Sequence, residues 1–579
     1  MAKMKNKSHA KRGHKGFAFD TFDVEKRRWE DTTVSESLSV NPERRDRFMT
    51  GSGEIEVQRL YTPKDVEHVD YLEYVGFPGQ FPFTRGIEPC GMRAKEWQQY
   101  FYTGFGSGDN ANERFKALIK AGGNHLQIAL DLPTQIGLDS DHPMAQREVG
   151  QVGVALDTIE DLVRLFQGIA LENISIGTVG NCIGPWAIAM FSALAEHEAL
   201  PLGELKGKIQ NDPFKEYTGR GTYIFPVDVA VDLASDTVIY CLQHLPKFAD
   251  LQRACTTTIR WGGGRASQEI GFGIANLMTY VEAALKKGAK LEQVVPTMNI
   301  HATSDNDLFE EVAKFRAMRR LWAKIARQRL KTEDPRVLGL RITVFTNGTR
   351  LTSREPMNNI IRTTVQVLAA ILGGVQWITI PGHDEALALP TFESTRLAGL
   401  TKNILTEENL VGNAVDPLGG SYLVEALTNE LEDKGRAWYE RVEEMGGSIK
   451  AIESGFYLNE MAKGMHKYQQ ELESGERSLI GVNRFALEGE EVPITLFKPD
   501  PKTQERQIQR LKDVKRRRSE RNVQKTLEGV RRTAEKKASG TMINIIPPIL
   551  AAVKEQASVG EIFSELRNVF GEYEPSTIF

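Results

Sequence analysis

Ile174-Ser-Ile-Gly-Thr-Val179, Pro185-Trp-Ala-Ile-Ala-Met-Phe-Ser-Ala-Leu-Ala-Glu-His197 and Lys208-Ile-Gln-Asn-Asp212 follow one another in the chain and decide its fold. The first and last are short apolar runs that end in polar residues. The middle one carries apolar side chains at i, i+3 and i+4, the spacing of a helix with one buried face. Two strands joined by a crossover helix run parallel, so the stretch reads as a βαβ unit. The rhythm recurs from about Gly122 to Tyr422. Further runs are Leu126–Asp131, Ala254–Arg260, Val295–His301, Leu340–Thr346, Val375–Ile380 and Ala414–Gly420, which make eight in all. Further helical stretches are Thr158–Gln167, Gln268–Lys286, Asp307–Arg327 and Pro356–Leu372. Eight βα units predict an α/β protein built on a (βα)8 barrel, the TIM barrel.

Barrel enzymes build their active sites at the C-terminal ends of the strands. Asp131, Gln210, Asn211, Asp212, Arg260, His301, Thr346, His383, Asp384, Glu385 and Asp416 crowd the ends of these runs, which points to an enzyme. The competing reading is that such residues cap the helices that follow. The interiors carry a second signal, because barrels are normally plugged by Val, Ile and Leu. Here stand Cys255-Thr256-Thr257-Thr258, Thr297, Asn299, Ser175, Gly177 and Gln210. A lumen lined by small polar groups admits a long, thin, polar substrate; high strand propensity explains any single threonine equally well.

Outside the repeat, the first fifty residues are polar and charged without hydrophobic periodicity and read as an extended arm. The expected organisation is an N-terminal arm and partner-wrapping segment over 1–86, the barrel over 87–425, and a charged helical extension over 426–579. Within that extension Lys515–Arg518 reads as a solvated helix face. The net charge of −4, from 73 basic and 77 acidic residues, supplies no field for nucleic acid or an anionic membrane. With no apolar run of spanning length and a basic, polar N-terminus, the expectation is a cytoplasmic protein. Cys90, Cys182, Cys241 and Cys255 have neither disulfide nor zinc spacing and read as buried thiols.

Specific motifs narrow the reading. They include Lys208-Ile-Gln-Asn-Asp212 leading through Lys215-Glu216 to Arg220-Gly-Thr-Tyr-Ile-Phe-Pro226, Asp384-Glu-Ala-Leu-Ala-Leu-Pro-Thr391, and Asp416-Pro-Leu-Gly-Gly-Ser-Tyr422. Leu130-Asp-Leu-Pro-Thr134, Arg319-Arg-Leu-Trp-Ala-Lys324, Asn358-Asn-Ile-Ile-Arg-Thr363 and Ile480-Gly-Val-Asn483 lie in order with them. Together they resemble the methylmalonyl-CoA mutase family, in order from about Phe77 to Tyr573. The resemblance implies an isomerase, an adenosylcobalamin-dependent carbon-skeleton mutase of an acyl-CoA. In that family CoA threads the barrel and the cobalamin lies on its C-terminal face. An Asp-x-His-x-x-Gly domain supplies the cobalt ligand, and none of the ten histidines here sits in that motif. The resemblance therefore implies a large subunit that works beside a small cobalamin-binding subunit. It further implies a homodimer of large subunits within a heterotetramer, a GTPase reactivation chaperone as a further partner, and no metal ligand on this chain.

Residue by residue, the resemblance makes Tyr102, Gln210, Arg220 and Thr258 the catalytic set. Gln210 would bond the acyl-CoA near its thioester, and Arg220 would grip a free carboxylate of the substrate. Leu130, Gln135, Arg220, Gly348, Glu385 and Ala386 would meet the cofactor, Glu385 at the adenosyl ribose. Glu88, Lys95, Gln98, Thr297, Asn299 and His301 would meet CoA. Arg220 with Tyr102 reads as the diacid type, because a guanidinium fork suits a carboxylate. The family's Gly-Tyr-His-Met-Gln-Glu-Ala-Gly is replaced by Thr256-Thr-Thr-Ile-Arg-Trp-Gly-Gly-Gly264, with Thr258 where the catalytic-site His stands. That exchange frees space and points to a diacid bulkier than methylmalonyl, such as an aryl-substituted succinyl-CoA interconverting with a benzylmalonyl-type CoA. The alternatives are the large subunit of a 2-hydroxyisobutyryl-CoA or isobutyryl-CoA mutase, and an inactive paralogue acting as a binding partner.

Overall fold

The structure is a computed structural model that describes residues 19–94, 98–99, 101–104, 106–120, 123–487, 496 and 500–575, without the side chains of 19–21, 98–99 and 101–103. The eight strand segments, in chain order, are Gln98–Gln99 with Phe101–Thr103, His125–Ile128, Ser175–Val179, Lys206–Gln210, Phe248–Asp250 with Gln252–Cys255, Met298–Ser304, Ile342–Thr346 and Trp377–Thr379. Each pairs in parallel with its chain neighbours. The first segment pairs with the second at Phe101↔Leu126 and with the eighth at Gln98↔Trp377, so the ring closes. A helix follows every segment: Gly108–Lys120, Ile159–Phe166, Gly184–His197, Val227–His244, Ala266–Lys286, Leu308–Leu330, Asn358–Leu372 and Phe392–Asn403. This is the (βα)8 arrangement.

Three strand expectations need correction. Ala414–Gly420 is a turn, with Asp416 at φ +47° and its carboxylate held by Arg85 Nε at 3.0 Å and by Arg316. Pro417, Gly419 and Gly420 suit that turn and break a ladder. The missing strand lies upstream at 98–103, where two glutamines interrupt the apolar signal. In the fifth unit the strand stops at Cys255, and Thr257–Trp261 form a short helix. The sixth strand begins at Met298 after a turn over Val295–Thr297.

The segment before the barrel also departs from an extended arm. It is helical from Phe19 to Val40, through Phe19–Trp29, Glu30–Val34 and Ser35–Val40. Farther on it lies against the helix Leu308–Leu330: Arg319 donates to the carbonyls of Phe83 at 3.1 Å and Thr84 at 3.0 Å, and Arg320 to that of Tyr74 at 3.0 Å. Ile55 and Phe83 join the main core.

After the barrel, Tyr422–Glu444 packs on Ala266–Lys286 so closely that a Cβ on Gly271 would lie 2.6 Å from the Gly435 carbonyl. The apolar Ile543–Val553 becomes the helix Ile546–Lys554, whose Ile549, Ala552 and Val553 are buried in the core. The basic run is only in part a solvated face: Arg516 and Arg517 stay exposed, while Lys515 and Arg518 are drawn in. Lys515 pairs with Asp139 at 2.8 Å, Arg517 with Glu160, and Arg518, 3% exposed, with Glu561 at 2.7 Å. Two of these pairs fasten the extension to the barrel's second βα unit. Cys182, Cys241 and Cys255 are buried free thiols, whereas Cys90 is exposed.

Candidate active site

At the C-terminal end of the barrel lies a cavity of about 370 Å³ that reaches into the lumen. Gln210, the last residue of the fourth strand, lines it and is held by its neighbours: its Nε2 donates to Asn181 Oδ1 at 3.3 Å, and Asn181 donates onward to Glu216. Asn211 and Asp212 point away from the cavity into the frame. Asp212 accepts from Cys255 N–H at 2.5 Å and from the Tyr280 hydroxyl, and burial pushes its carboxyl up to about 7. The fourth and fifth strand ends are thereby fixed to each other. Asp131 behaves as the cap that was its alternative reading, accepting from Thr134 N–H at 3.1 Å and Gly150 N–H at 2.8 Å.

Arg220 stands on the next loop with its side chain 27% exposed. Its Nη1 donates to Gln135 Oε1, whose own Nε2 donates to the Leu130 carbonyl at 2.5 Å. Glu216 Oε1 lies 3.6 Å from the same Nη1. Glu216 is fully buried and accepts from Thr222 N–H at 3.2 Å and from the Thr222 hydroxyl. Arg220 lines the cavity, and its Nε and Nη2 make no hydrogen bond among the described residues.

Glu385 also lines the cavity, with its residue exposed to solvent. Its pKa is raised to about 7, by loss of hydration first and by the charge of Asp384 second. Asp384 is buried and accepts from Ser394 Oγ at 2.6 Å and Thr391 N–H at 3.1 Å. Gly348 abuts Glu385, with 3.4 Å between a hypothetical Cβ and Glu385 Cγ.

The described lining carries four cations, Arg114, Lys215, Arg220 and Arg253, against the single carboxylate of Glu385. His301 adds no charge: burial, aided by Arg253, Lys215 and Lys208, pushes its pKa well below the ordinary range. Its Nδ1 meets Thr343 Oγ1 at 2.7 Å, and Thr343 donates to Asn299 Oδ1 at 3.3 Å. The lumen is polar but not lined by small groups alone. Gly177 makes room there, because a Cβ would come 2.7 Å from Gln127 Oε1. Lys208 Nζ lies over the Trp377 ring at 4.9 Å.

Other expected residues fall elsewhere. The cavity is lined by Thr257; Thr258 packs behind it, its Oγ1 3.4 Å from Thr218 Oγ1. Glu88 and Ala386 are exposed, Thr297 donates to the Val294 carbonyl at 2.7 Å before the strand begins, and none of the three lines the cavity. Lys95 lies outside the described residues, as do the side chains of Gln98 and Tyr102. Arg114, Arg253, Trp261 and Phe345 line the cavity unforeseen. An arginine inside a strand, as at 253, is a readable signal; Arg114 on an amphipathic helix looks like any solvated charge. Trp261 stands edge-on to Phe345, centroids 5.4 Å apart at 84°.

Behind this wall Arg260 is caged, with Glu311 at 3.0 Å, Asp305 at 3.5 Å and Glu269 at 3.7 Å. Lys314 Nζ joins Glu269 at 2.6 Å and Glu311, and Arg350 pairs with Asp305 at 3.1 Å. Three cations balance three carboxylates, which anchors the short helix that presents Thr257 and Trp261. Among the described residues no three His, Cys, Asp or Glu side chains could hold a metal ion, and no helix is long and apolar enough to cross a membrane.

A closed parallel barrel with a cavity at its C-terminal mouth, lined by four cations and one carboxylate, has the architecture of a (βα)8 enzyme. Comparison with known proteins gives the lineage: residues 50–572 match the methylmalonyl-CoA mutase family, and the chain belongs to that family of isomerases. It is 38% identical over 555 residues to the 2-hydroxyisobutanoyl-CoA mutase large subunit of Aquincola tertiaricarbonis, covering 96% of this chain and 98% of that one. It is 35% identical over 520 residues to the mitochondrial methylmalonyl-CoA mutase of Bos taurus, covering 90% of this chain and 68% of that enzyme. With the methylmalonyl-CoA mutase of Rhizobium meliloti the identity is 34% over 521 residues, 90% of this chain and 72% of the relative.

Proposed function

We propose that the chain is the large subunit of an adenosylcobalamin-dependent mutase acting on a carboxylated acyl-CoA bulkier than methylmalonyl-CoA, of the aryl-substituted succinyl to benzylmalonyl type. The observation that carries the carboxylate is Arg220 in the cavity lining, its Nε and Nη2 without a hydrogen bond among the described residues, where lining cations outnumber lining carboxylates four to one. A carboxylate takes two parallel charge-assisted bonds from such an edge. Bulk is supported by threonine at 257 and by the aromatic wall of Trp261 and Phe345, which suits a ring in edge-to-face contact. The name of the Aquincola relative favours a second reading, a branched hydroxylated monoacid; the proximity of Glu216 and Gln135 to Arg220 would then satisfy the guanidinium within the protein.

The residues present fit the family's cofactor. Glu385, with no side chain opposite it at Gly348, offers oxygens to ribose hydroxyls, and at a pKa of about 7 it can donate as well as accept near neutral pH. When bound, adenosylcobalamin supplies a carbon radical by homolysis of its Co–C bond. The chain's own residues position and enclose: Gln210 is oriented by Asn181 toward the thioester, Arg220 holds the carboxylate, and Val179, Ile380, Leu389 and Pro390 keep water from the reacting carbons. The relative named as a large subunit supports a small cobalamin-binding partner for this chain too. Turnover is expected only when such a partner is added, and turnover by the chain with coenzyme alone would refute that division of labour.

The substrate reading is tested by Arg220→Gln. Methylmalonyl-CoA and isobutyryl-CoA differ by a carboxylate in place of a methyl group, and calorimetric titration of the two isolates that group. The variant should weaken methylmalonyl-CoA by about 1.5–3 kcal/mol, roughly 10- to 150-fold, and leave isobutyryl-CoA unchanged. Equal losses for both would assign Arg220 another task.

A further inference from the structure

The loop that carries Arg220 is gripped from outside by the C-terminal part of the chain. Tyr217 and Tyr223 stack, centroids 5.6 Å apart at 9°, which closes the loop face to face. Tyr573 stands edge-on to both rings, 4.8 Å and 81° from Tyr217 and 4.9 Å and 77° from Tyr223. Its N–H donates to the Ile224 carbonyl at 2.9 Å. Phe225 at the loop's end is held in turn by Phe563 and Phe570, each with its ring centroid 6.0 Å away.

This clamp is continuous with the site. Tyr217 follows Glu216 directly, and Tyr223 follows Thr222, whose N–H and hydroxyl both donate to Glu216. Glu216 stands beside the Arg220 guanidinium. Gly219 and Gly221 flank Arg220; Gly221 sits at φ +85°, which favours glycine, and its N–H donates to the Glu216 carbonyl at 2.9 Å, so the placing of Arg220 follows the placing of the Glu216 end of the loop. Within the loop the two rings stack on each other and the Tyr217 hydroxyl donates to the Phe225 carbonyl; Tyr573 adds a contact that touches both rings at once from outside the loop.

We propose that Tyr573 is a positioning residue for substrate carboxylate recognition: its ring wedges Tyr217 against Tyr223 and so holds the Glu216–Thr222 pair that aims Arg220. The inference rests on the reading of Arg220 as the carboxylate anchor. It assigns to residues outside the cavity lining a share in choosing between carboxylated and uncarboxylated acyl groups.

The test titrates the full chain with methylmalonyl-CoA and isobutyryl-CoA, using Tyr573→Ala, Tyr573→Leu, Tyr573→Phe and Arg220→Gln beside the wild type. Tyr573→Ala should weaken methylmalonyl-CoA about 5- to 20-fold, the lower part of the range set by two lost edge-to-face contacts, and leave isobutyryl-CoA within about twofold. Tyr573→Leu, which keeps apolar bulk and guards against misfolding of the alanine variant, should show the same selective loss. Tyr573→Phe retains the ring and should restore wild-type values. If Arg220→Gln discriminates between the two ligands while Tyr573→Ala and Tyr573→Leu weaken both equally or neither, the positioning role is overturned and the carboxylate reading stands. If Arg220→Gln itself fails to discriminate, the carboxylate reading is lost and the role of Tyr573 with it.

Discussion

Asp212 offers a measurement of how firmly the frame behind Gln210 is built. Its carboxyl is wholly buried and pushed up to about 7, while an unfolded aspartate titrates near 4. Below about pH 4 both states hold the proton; between about 4 and 7 only the folded state does, so folding takes up a proton and stability falls as pH rises. Above about 7 neither holds it and the slope vanishes. Three pH units at 1.36 kcal/mol each amount to ~4 kcal/mol. Asp212→Asn cannot titrate. Its amide would also set an N–H against the Tyr280 hydroxyl, whose oxygen already accepts from Phe214 N–H at 3.1 Å. Urea unfolding of both proteins from pH 4 to pH 8 isolates this one group, because every other titration is shared. The advantage of wild type over Asp212→Asn should shrink by ~4 kcal/mol across that range and then level. A difference that stays flat within about 1 kcal/mol would mean that Cys255 and Tyr280 keep the carboxylate ionised throughout, their hydrogen bonds outweighing desolvation.

The other expectations concern the cavity wall and its support. Thr257→His should fill the cavity and depress binding of an aryl-substituted succinyl-CoA relative to methylmalonyl-CoA, an overpacking cost of about 1–3 kcal/mol; an unchanged ratio would move the substrate's bulk elsewhere. Thr258→His presses instead on Thr218 and Gly219 and should weaken carboxylated ligands through the Arg220 loop, as the same titrations would show. Lys314→Met leaves Glu269 and Glu311 short of a buried cation and should cost about 3–5 kcal/mol in urea unfolding, whereas a loss under about 1 kcal/mol would show that the cage relaxes around the gap.

Seven of the eight strands and all five quoted helices were legible because their signal is local: short β-rich runs and a 3.6-residue period. The first strand was not, since its Gln98-Gln99 lacks that signal, and the Pro- and Gly-bearing Ala414–Gly420 supplied a false eighth. Thr256-Thr-Thr has the propensity of a strand, yet Arg260 in its ionic cage draws the next residues into a helix, and no propensity scale contains that cage. At the site, Gln210, Arg220 and Glu385 were readable as strand-end and loop polar residues carried by motifs. Arg114 and Phe345 were not, because their place in the cavity depends on how distant elements pack.

The fastening of the extension to the second βα unit sets an order in time. Asp139 accepts from the Ser558 hydroxyl and Gly560 N–H, across 419 and 421 residues of chain, and Gln507 bridges Asp157 and Asp161 at 2.8 and 2.9 Å. On a ribosome adding about 5–20 residues per second, the acidic groups of the barrel's first quarter wait roughly 20–80 s for the partners that cover them. The nascent barrel must persist that long with a charged seam open to water, and a chain that stalls before Ser558 leaves the seam unsealed.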